Sequence, residues 1–302
     1  MKPSLIEQKK RLYFIVGPTS SGKTEISIKL AKVLEAQEYA MGRSAKCEII
    51  SADSRQVYRY FDLSSGKVTK EEMRDIPHHM LDIVDPGQKY TVVDYVKDAT
   101  RIIEEVLSRG NIPIVVGGTG FYIDSLIYDY DLPQVKMNEE LRKELESRST
   151  EQLFIELESI DPEYAAQHNN AEFKNNRHRL VRAVEIARAL GNIPALNKKE
   201  RYGTDEFQKH IIFTETDQDS LKEKIKTRIV DRLQKGMVAE IQRAMQKYNL
   251  SYEYLESLGL EFKYVSRLLQ KQIDESSMIE ELAKEHIQYA RRQDTWFRRY
   301  KK

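Results

Sequence analysis

Gly17-Pro18-Thr19-Ser20-Ser21-Gly22-Lys23-Thr24 fits the pattern G-x-x-x-x-G-K-[ST], and each fixed position has a chemical reason. The glycines permit positive φ and close backbone approach, so that successive N–H groups turn inward toward anionic oxygens. The N-terminus of a following helix adds about half a positive charge. Lys23 supplies a point charge, and the Thr24 hydroxyl suits one ligand position of Mg2+. These eight residues predict a cradle for a di- or triphosphate.

Two further stretches carry reactive groups. Ser51-Ala52-Asp53-Ser54-Arg55-Gln56 brings a carboxylate, and Val116-Gly117-Gly118-Thr119-Gly120 brings a hydroxyl on a flexible backbone. A nucleotide-hydrolysing enzyme of this class wants an Asp at a strand end to hold its metal. The strand before Gly117 offers none. Asp53 is open to three readings from its residue type and position: metal ligand, helix N-cap or general base.

The elements that must position these groups follow from periodicity. Leu12–Val16, Cys47–Ser51, Ile112–Val116 and Lys209–Thr214 read as short buried strands. Ile26, Leu30, Val33 and Leu34 repeat at helical spacing after Lys23. Val96, Ala99, Ile103, Val106 and Leu107 do the same before a stop at Gly110. Strands alternating with helices predict a P-loop NTPase-like α/β core, a parallel sheet flanked by helices. Ligands of such sheets bind at the carboxyl ends of the strands, so the cradle, Asp53 and Thr119 should converge. From Met137 to about Leu196 the pattern is helical, with turns at Asp161-Pro162 and at Gly191. The expected organisation is a catalytic core over 1–128, an all-helical insertion over 129–200, and a return to the core over 201–302.

Composition narrows the class. With 49 Lys+Arg against 48 Asp+Glu, the net charge of +1 excludes a uniformly basic coat but allows local basic patches. A single cysteine, Cys47, excludes a disulfide scaffold and a Cys-ligated zinc cluster and fits a reducing compartment. The apolar runs at 12–16 and 112–116 are far short of the roughly 20 residues of a membrane helix. The basic N-terminus lacks the apolar stretch of a signal peptide. A cytoplasmic protein with no membrane association and no obligate protein partner, acting as a monomer, is expected.

Six segments in order resemble one family: GPTSSGKT, ISADSRQVYR (Ile50–Arg59), PHHMLDI (Pro77–Ile83), VGGTGFY (Val116–Tyr122), NNRHRLVRAVE (Asn175–Glu185) and RRQDTWFRR (Arg291–Arg299). Together they look like the tRNA dimethylallyltransferases, or tRNA isopentenyltransferases, of the bacterial type without a zinc finger. The resemblance implies that the cradle holds the diphosphate of dimethylallyl diphosphate. The exocyclic amine of an adenosine beside the anticodon would attack the allylic carbon, and pyrophosphate would leave. Asp53 would accept the proton, Thr119 would assist, and Mg2+ and Arg228 would join Gly17 to Thr24 on the diphosphate.

Reaching a stem-loop adenosine requires extrusion of the base and a basic surface. Asp53, Ser54, Arg55, Gln56 and Thr119 would meet the target nucleotide. His178-Arg179-Leu180-Val181-Arg182, on a helix with Leu180, Val184 and Ala187 as its apolar face, matches the family's tRNA-contacting helix, and Arg142 matches another contact. Without the resemblance, Arg179 and Arg182 read equally well as a solvated helix face. Residues 291–302 interleave basic groups with Trp296, Phe297 and Tyr300, which suits a single-stranded loop. Arg291, Arg292, Gln293, Trp296 and Arg298 are the expected contacts, although Trp296 and Phe297 could equally pack a terminal helix. His78 and His79 read as structural, since neighbours on a strand point to opposite sides.

One departure stands out. Where the family usually has A-I-G-Y-[KR]-[EQ], this chain has Ser257-Leu258-Gly259-Leu260-Glu261-Phe262. Glu261 in place of a cation would repel an RNA phosphate. The competing readings are a small-molecule kinase, a prenyltransferase of free adenine nucleotides, and a non-enzymatic nucleotide switch or RNA-binding ATPase.

Overall fold

The computed structural model describes residues 9–131, 133, 135, 136 and 138–301, the side chains of residues 218 and 219 excepted. Among the described residues seven strands form: β1 (Lys10–Val16), β2 (Cys47–Ser51), β3 (His78–His79), β4 (Ile112–Gly117), β5 (Tyr128–Tyr130), β6 (Lys198–Glu200) and β7 (Phe207–Phe213). Five make a wholly parallel sheet in the order β3-β2-β4-β1-β7. Four of these are the expected strands. The two-residue edge strand β3 was too short to show a period.

Register places the chemistry. Val16 lies opposite Gly117 and Ser51 opposite Val116, so the segments after β1, β2 and β4 all leave the sheet at its carboxyl end. Leu12, Phe14 and Val16 alternate with Tyr13 and Ile15 along β1. The first set packs with Ile50, Val115, Tyr95, Ala99 and Ile103, and the second with Ile28, Ala31, Leu34, Ile49 and Ile114. A sheet covered on both faces explains why its strands read as continuous apolar runs.

Helices α1 (Lys23–Ala40), α2 (Lys70–Met73), α3 (Val92–Ser108) and α4 (Gly120–Ile127) flank or edge the sheet. The buried stripe of α1 is Ser27, Ile28, Ala31, Leu34 and Glu38, rotated from the expected one. Val33 is 53 % exposed. The rotation follows from Glu38, whose carboxylate takes bonds from Arg11 at 2.6 Å and Arg43 at 2.5 Å. That pairing lets a charged residue occupy the inner face, which an apolar count cannot anticipate.

The described chain forms two units, one of residues up to Tyr128 with Glu200 onward, the other Asp129–Lys199. The crossing strands β5 and β6 pair with each other. The second unit holds α5 (Glu139–Glu146), α6 (Thr150–Ile160), α7 (Pro162–Gln167), α8 (Ala171–Lys174) and α9 (Arg177–Leu190). Asp161 ends α6 and caps α7, with Pro162 in the first turn. Leu145, Leu153, Leu157, Phe173, Leu180 and Val184 form its core.

In the first unit the chain finishes with α10 (Gln218–Gln234), α11 (Met237–Tyr248), α12 (Tyr252–Leu258), α13 (Leu260–Leu269), α14 (Glu275–Phe297) and a terminal 3-10 turn. These bury a cluster with Val57, Tyr58 and Phe61, which fixes the segment after Asp53. No helix among the described residues is long and apolar enough to cross a membrane.

Candidate active site

The loop after β1 closes around its own backbone. Gly17 lies so close to Thr214 that a Cβ would fall 2.3 Å from the Thr214 Oγ1. Gly22, at φ 77°, turns the chain into α1. Ser20 holds φ 61°, unusual for a residue with a Cβ, and its hydroxyl is buried without a partner among the described residues. Backbone strain and an unpartnered hydroxyl thus coincide in one residue of this loop. Ser21 Oγ donates to the Pro18 carbonyl at 2.8 Å, and Lys23 Nζ donates to the Gly17 and Pro18 carbonyls at 3.0 and 2.5 Å. Arg228 Nη2 donates to Thr19 Oγ1 at 3.0 Å, and its Nε is buried without a partner among the described residues.

A cavity of about 510 Å³ opens here, lined by Thr19 to Thr24, Asp53 to Gln56, Gly117, Gly118, Arg228, Arg232, Tyr289, Arg292 and Gln293. The cradle and the carboxylate therefore share one space. Asp53 is not a helix cap, because residues 54–57 form a turn. Its Oδ1 accepts from Arg55 N at 2.8 Å and Gln56 N at 3.3 Å, and Oδ2 has no protein donor among the described residues. Thr119 is not part of the lining. Its Oγ1 accepts from Ser54 N at 3.1 Å, which ties the two strand ends together, and it bonds the Tyr289 hydroxyl.

The cavity's charges are shifted by their surroundings. Burial brings the Lys23 ammonium down to about 8, with Asp53 opposing and Arg228 adding to the fall. Burial likewise draws Arg228 to about 10, Arg232 adding to it while Glu261 and Asp53 oppose. Burial and the Asp53 charge push the Tyr289 phenol up to about 12. Both cations are thus lowered chiefly by burial and further by a neighbouring guanidinium.

Several expected RNA contacts are placed otherwise. Leu180 and Val181 are buried in the core of the second unit and cannot touch RNA. Arg142 grips the buried Glu185 with two bonds, at 2.7 and 3.0 Å, and Arg182 bonds Glu185 at 3.1 Å and the Val135 carbonyl at 2.9 Å. A single buried carboxylate thus fixes both arginines. His178 and Arg179 remain exposed on that helix. Gln293 is buried: its Oε1 accepts from Thr19 N at 2.8 Å and its Nε2 donates to the Gly118 carbonyl at 2.7 Å. It fastens the cradle to the loop after β4. Gln56 is occupied as well, donating to the Gly66 carbonyl at 3.1 Å and accepting from Ser51 Oγ at 2.9 Å. Arg55 Nε donates to the Leu258 carbonyl at 2.9 Å, and Ser54 lines the cavity.

On the terminal helix Arg291 and Arg292 are exposed, Arg298 is paired with Asp294 at 2.9 Å, and Trp296 packs against Gly120 under the Arg299 guanidinium. Phe297 is fully buried, so the aromatics serve packing. Glu261 faces no RNA phosphate; it is buried and bonded to Arg232 and His286. His79 bonds Glu48 at 2.6 Å and His78 the Ile76 carbonyl at 2.8 Å. Sequence reasoning missed Tyr289, Arg232 and Thr214. The spacing of His286, Tyr289, Gln293 and Trp296 is that of one helical face, a signal obscured by the flanking arginines.

Residues 56–300 match the sequence profile of the family described as IPP transferase. The chain is 37% identical over 298 residues to tRNA dimethylallyltransferase 2 of Treponema denticola, covering 98% of this chain and 94% of that relative. To the tRNA dimethylallyltransferase of Bacillus subtilis it is 33% identical over 294 residues, covering 96% and 88%. The solved structure of the full-length tRNA isopentenylpyrophosphate transferase of Bacillus halodurans matches with a TM-score of 0.66 at 32% identity, covering 96% of this chain and 87% of that one.

Proposed function

Because this chain belongs to the IPP transferase family, the tRNA dimethylallyltransferases, we propose that it moves a dimethylallyl group from dimethylallyl diphosphate to tRNA. The acceptor is the exocyclic amine of the adenosine adjacent to the anticodon, and pyrophosphate is released. The observation that carries this reading is the single cavity shared by the phosphate cradle and the Asp53 carboxylate.

The diphosphate lies against the N–H groups of residues 17–24, with Lys23 and Arg228 on its oxygens. The amine attacks the allylic carbon as the carbon–oxygen bond to the diphosphate breaks. A proton leaves the nitrogen for Asp53 Oδ2, the oxygen without a donor among the described residues, while Oδ1 keeps the turn in place. Tyr289, Thr119 and Ser54 hold that turn against the loop after β4. Charge developing on the departing pyrophosphate meets preorganised donors, which is where such donors act most strongly.

Thr24 lines the cavity at the first turn of α1. Its hydroxyl fits Mg2+, which typically takes few protein ligands and completes its shell with phosphate oxygens and water. Bound there, Mg2+ supplies further neutralisation of the leaving group. RNA contact is assigned to the exposed His178 and Arg179 and to Arg291 and Arg292. With no large net charge, binding weakens steeply with salt through those local clusters.

The test is incubation with radiolabelled dimethylallyl diphosphate, Mg2+ and either tRNA or AMP. Label on tRNA alone supports the proposal. Label on AMP selects a free-nucleotide prenyltransferase, and ATP turnover without transfer selects a kinase or ATPase.

A further inference from the structure

Arg232 lies one helical turn beyond Arg228 on α10 and lines the same cavity. Its Nη1 donates to Glu261 Oε1 at 2.9 Å. Its Nη2 packs over Gly66, where a Cβ would fall 1.8 Å from that nitrogen. Glu261, 5 % exposed, takes a second bond on the same oxygen from His286 Nε2 at 3.0 Å. Burial works to raise the Glu261 carboxyl, but His286, Arg232 and Arg228 hold it at about 2, so it stays anionic.

Two guanidiniums four residues apart on a helix repel each other. A buried carboxylate beside them offsets that repulsion and keeps both turned toward one space. Each guanidinium carries five N–H donors. Among the described residues Arg232 bonds Glu261 alone and Arg228 bonds Thr19 alone, with the Arg228 Nε buried and unpaired. Two forks with spare donors beside a phosphate loop suit an anion rich in acceptor oxygens.

We propose that Arg232 is a second guanidinium of the diphosphate clamp and that Glu261 is the positioning residue holding it there. This rests on the reading of the cradle as the diphosphate site. Glu261 in this position therefore strengthens an anion site that its charge alone would weaken.

The test measures calorimetric binding of inorganic pyrophosphate with Mg2+ to the full chain, together with KM for donor and for tRNA. Arg232→Gln should weaken pyrophosphate about 10–100-fold, the range of a lost charge-assisted bond, and raise the donor KM alike, with the tRNA KM unchanged. Glu261→Gln removes a negative charge near the anion. Tighter pyrophosphate binding would overturn the positioning role, whereas weakening of about 3–10-fold supports it. Should Arg232→Gln fail to fold with Glu261 left poorly paired, the double variant Arg232→Gln/Glu261→Gln decides: weak binding supports the clamp, wild-type affinity overturns it. A raised tRNA KM with donor KM unchanged would assign Arg232 to an RNA phosphate and overturn the proposal. If the wild type itself neither binds pyrophosphate nor labels tRNA, the diphosphate reading falls and the clamp with it. A wild type that does both beside an unaffected Arg232 variant sinks only the clamp.

Discussion

Asp53→Asn separates the two roles that the structure gives this side chain. Oδ1 accepts two backbone bonds that fix the 54–57 turn, and the amide oxygen of Asn can accept both. Asn cannot take a proton from the attacking amine. Turn and fold should therefore survive while proton transfer is lost. Loss of a positioned base typically slows a reaction about 10²–10⁴-fold, or roughly 2.7–5.4 kcal/mol of barrier at 1.36 kcal/mol per tenfold. Asp53→Ala removes the turn bonds as well, and bonds to a charged acceptor are each worth about 1.5–3 kcal/mol. It should melt earlier than Asp53→Asn while losing a similar factor in rate. The assay is single-turnover transfer of label from the allylic diphosphate to tRNA, with thermal melting and pyrophosphate calorimetry on the same samples. Pyrophosphate affinity should stay within a fewfold of wild type in both variants, since the cradle is intact. Near-normal transfer by Asp53→Asn would refute the reasoning, and Asp53 would be a turn residue only.

Gln293→Leu strips the partner from Thr19 N and from the Gly118 carbonyl. At about 1–3 kcal/mol for each buried group left unpaired, thermal melting should show a lower Tm, and calorimetry weaker pyrophosphate binding. Because burial lowers Lys23 to about 8, pyrophosphate affinity should fall as pH rises through 8, by at most about tenfold per unit, and Lys23→Met should abolish that slope. The same shift acts oppositely on the unliganded fold. Above pH 8 the unfolded chain binds the extra proton, so this group's contribution to stability rises toward the ordinary lysine range in denaturant titrations. Glu185→Ala should destabilise the Asp129–Lys199 unit by about 1–3 kcal/mol, less than a fully buried pair because the Arg142 and Arg182 side chains are 30% and 35% exposed. Faster proteolysis within 129–199 would report it.

Much of the fold was legible because the strands are buried on both faces and announce themselves as apolar runs between turn signals. The loop after β1 was legible because its fixed residues are contiguous, although Thr214, Arg228 and Gln293 also hold it. Residues acting across long sequence separations were not. Gln293 sits among arginines and reads as part of a basic surface, yet it reaches 274 positions back to Thr19. Glu185 read only as the end of a family motif, Glu261 read as an anion that would repel RNA, and Glu38 lay outside the apolar stripe expected of α1. Each is buried because arginines neutralise it, and one of them comes from a distant segment: Arg142 for Glu185, Arg232 for Glu261 and Arg11 for Glu38. Leu180 and Val181 were carried along with a motif whose apolar members serve packing and whose exposed members, His178 and Arg179, are the ones available to RNA.

The most direct measurement is a crystal structure of the full chain with Mg2+ and a thiodiphosphate analogue of the allylic donor, which cannot readily ionise. The expected density puts the diphosphate on the N–H groups of residues 17–24 beside Arg228. The reactive carbon should face Asp53 Oδ2 across a gap wide enough for an amine nitrogen to sit about 3–3.5 Å from that carbon. A donor lying outside that cavity, or with its prenyl chain pointing away from Asp53, would contradict the shared-cavity reading.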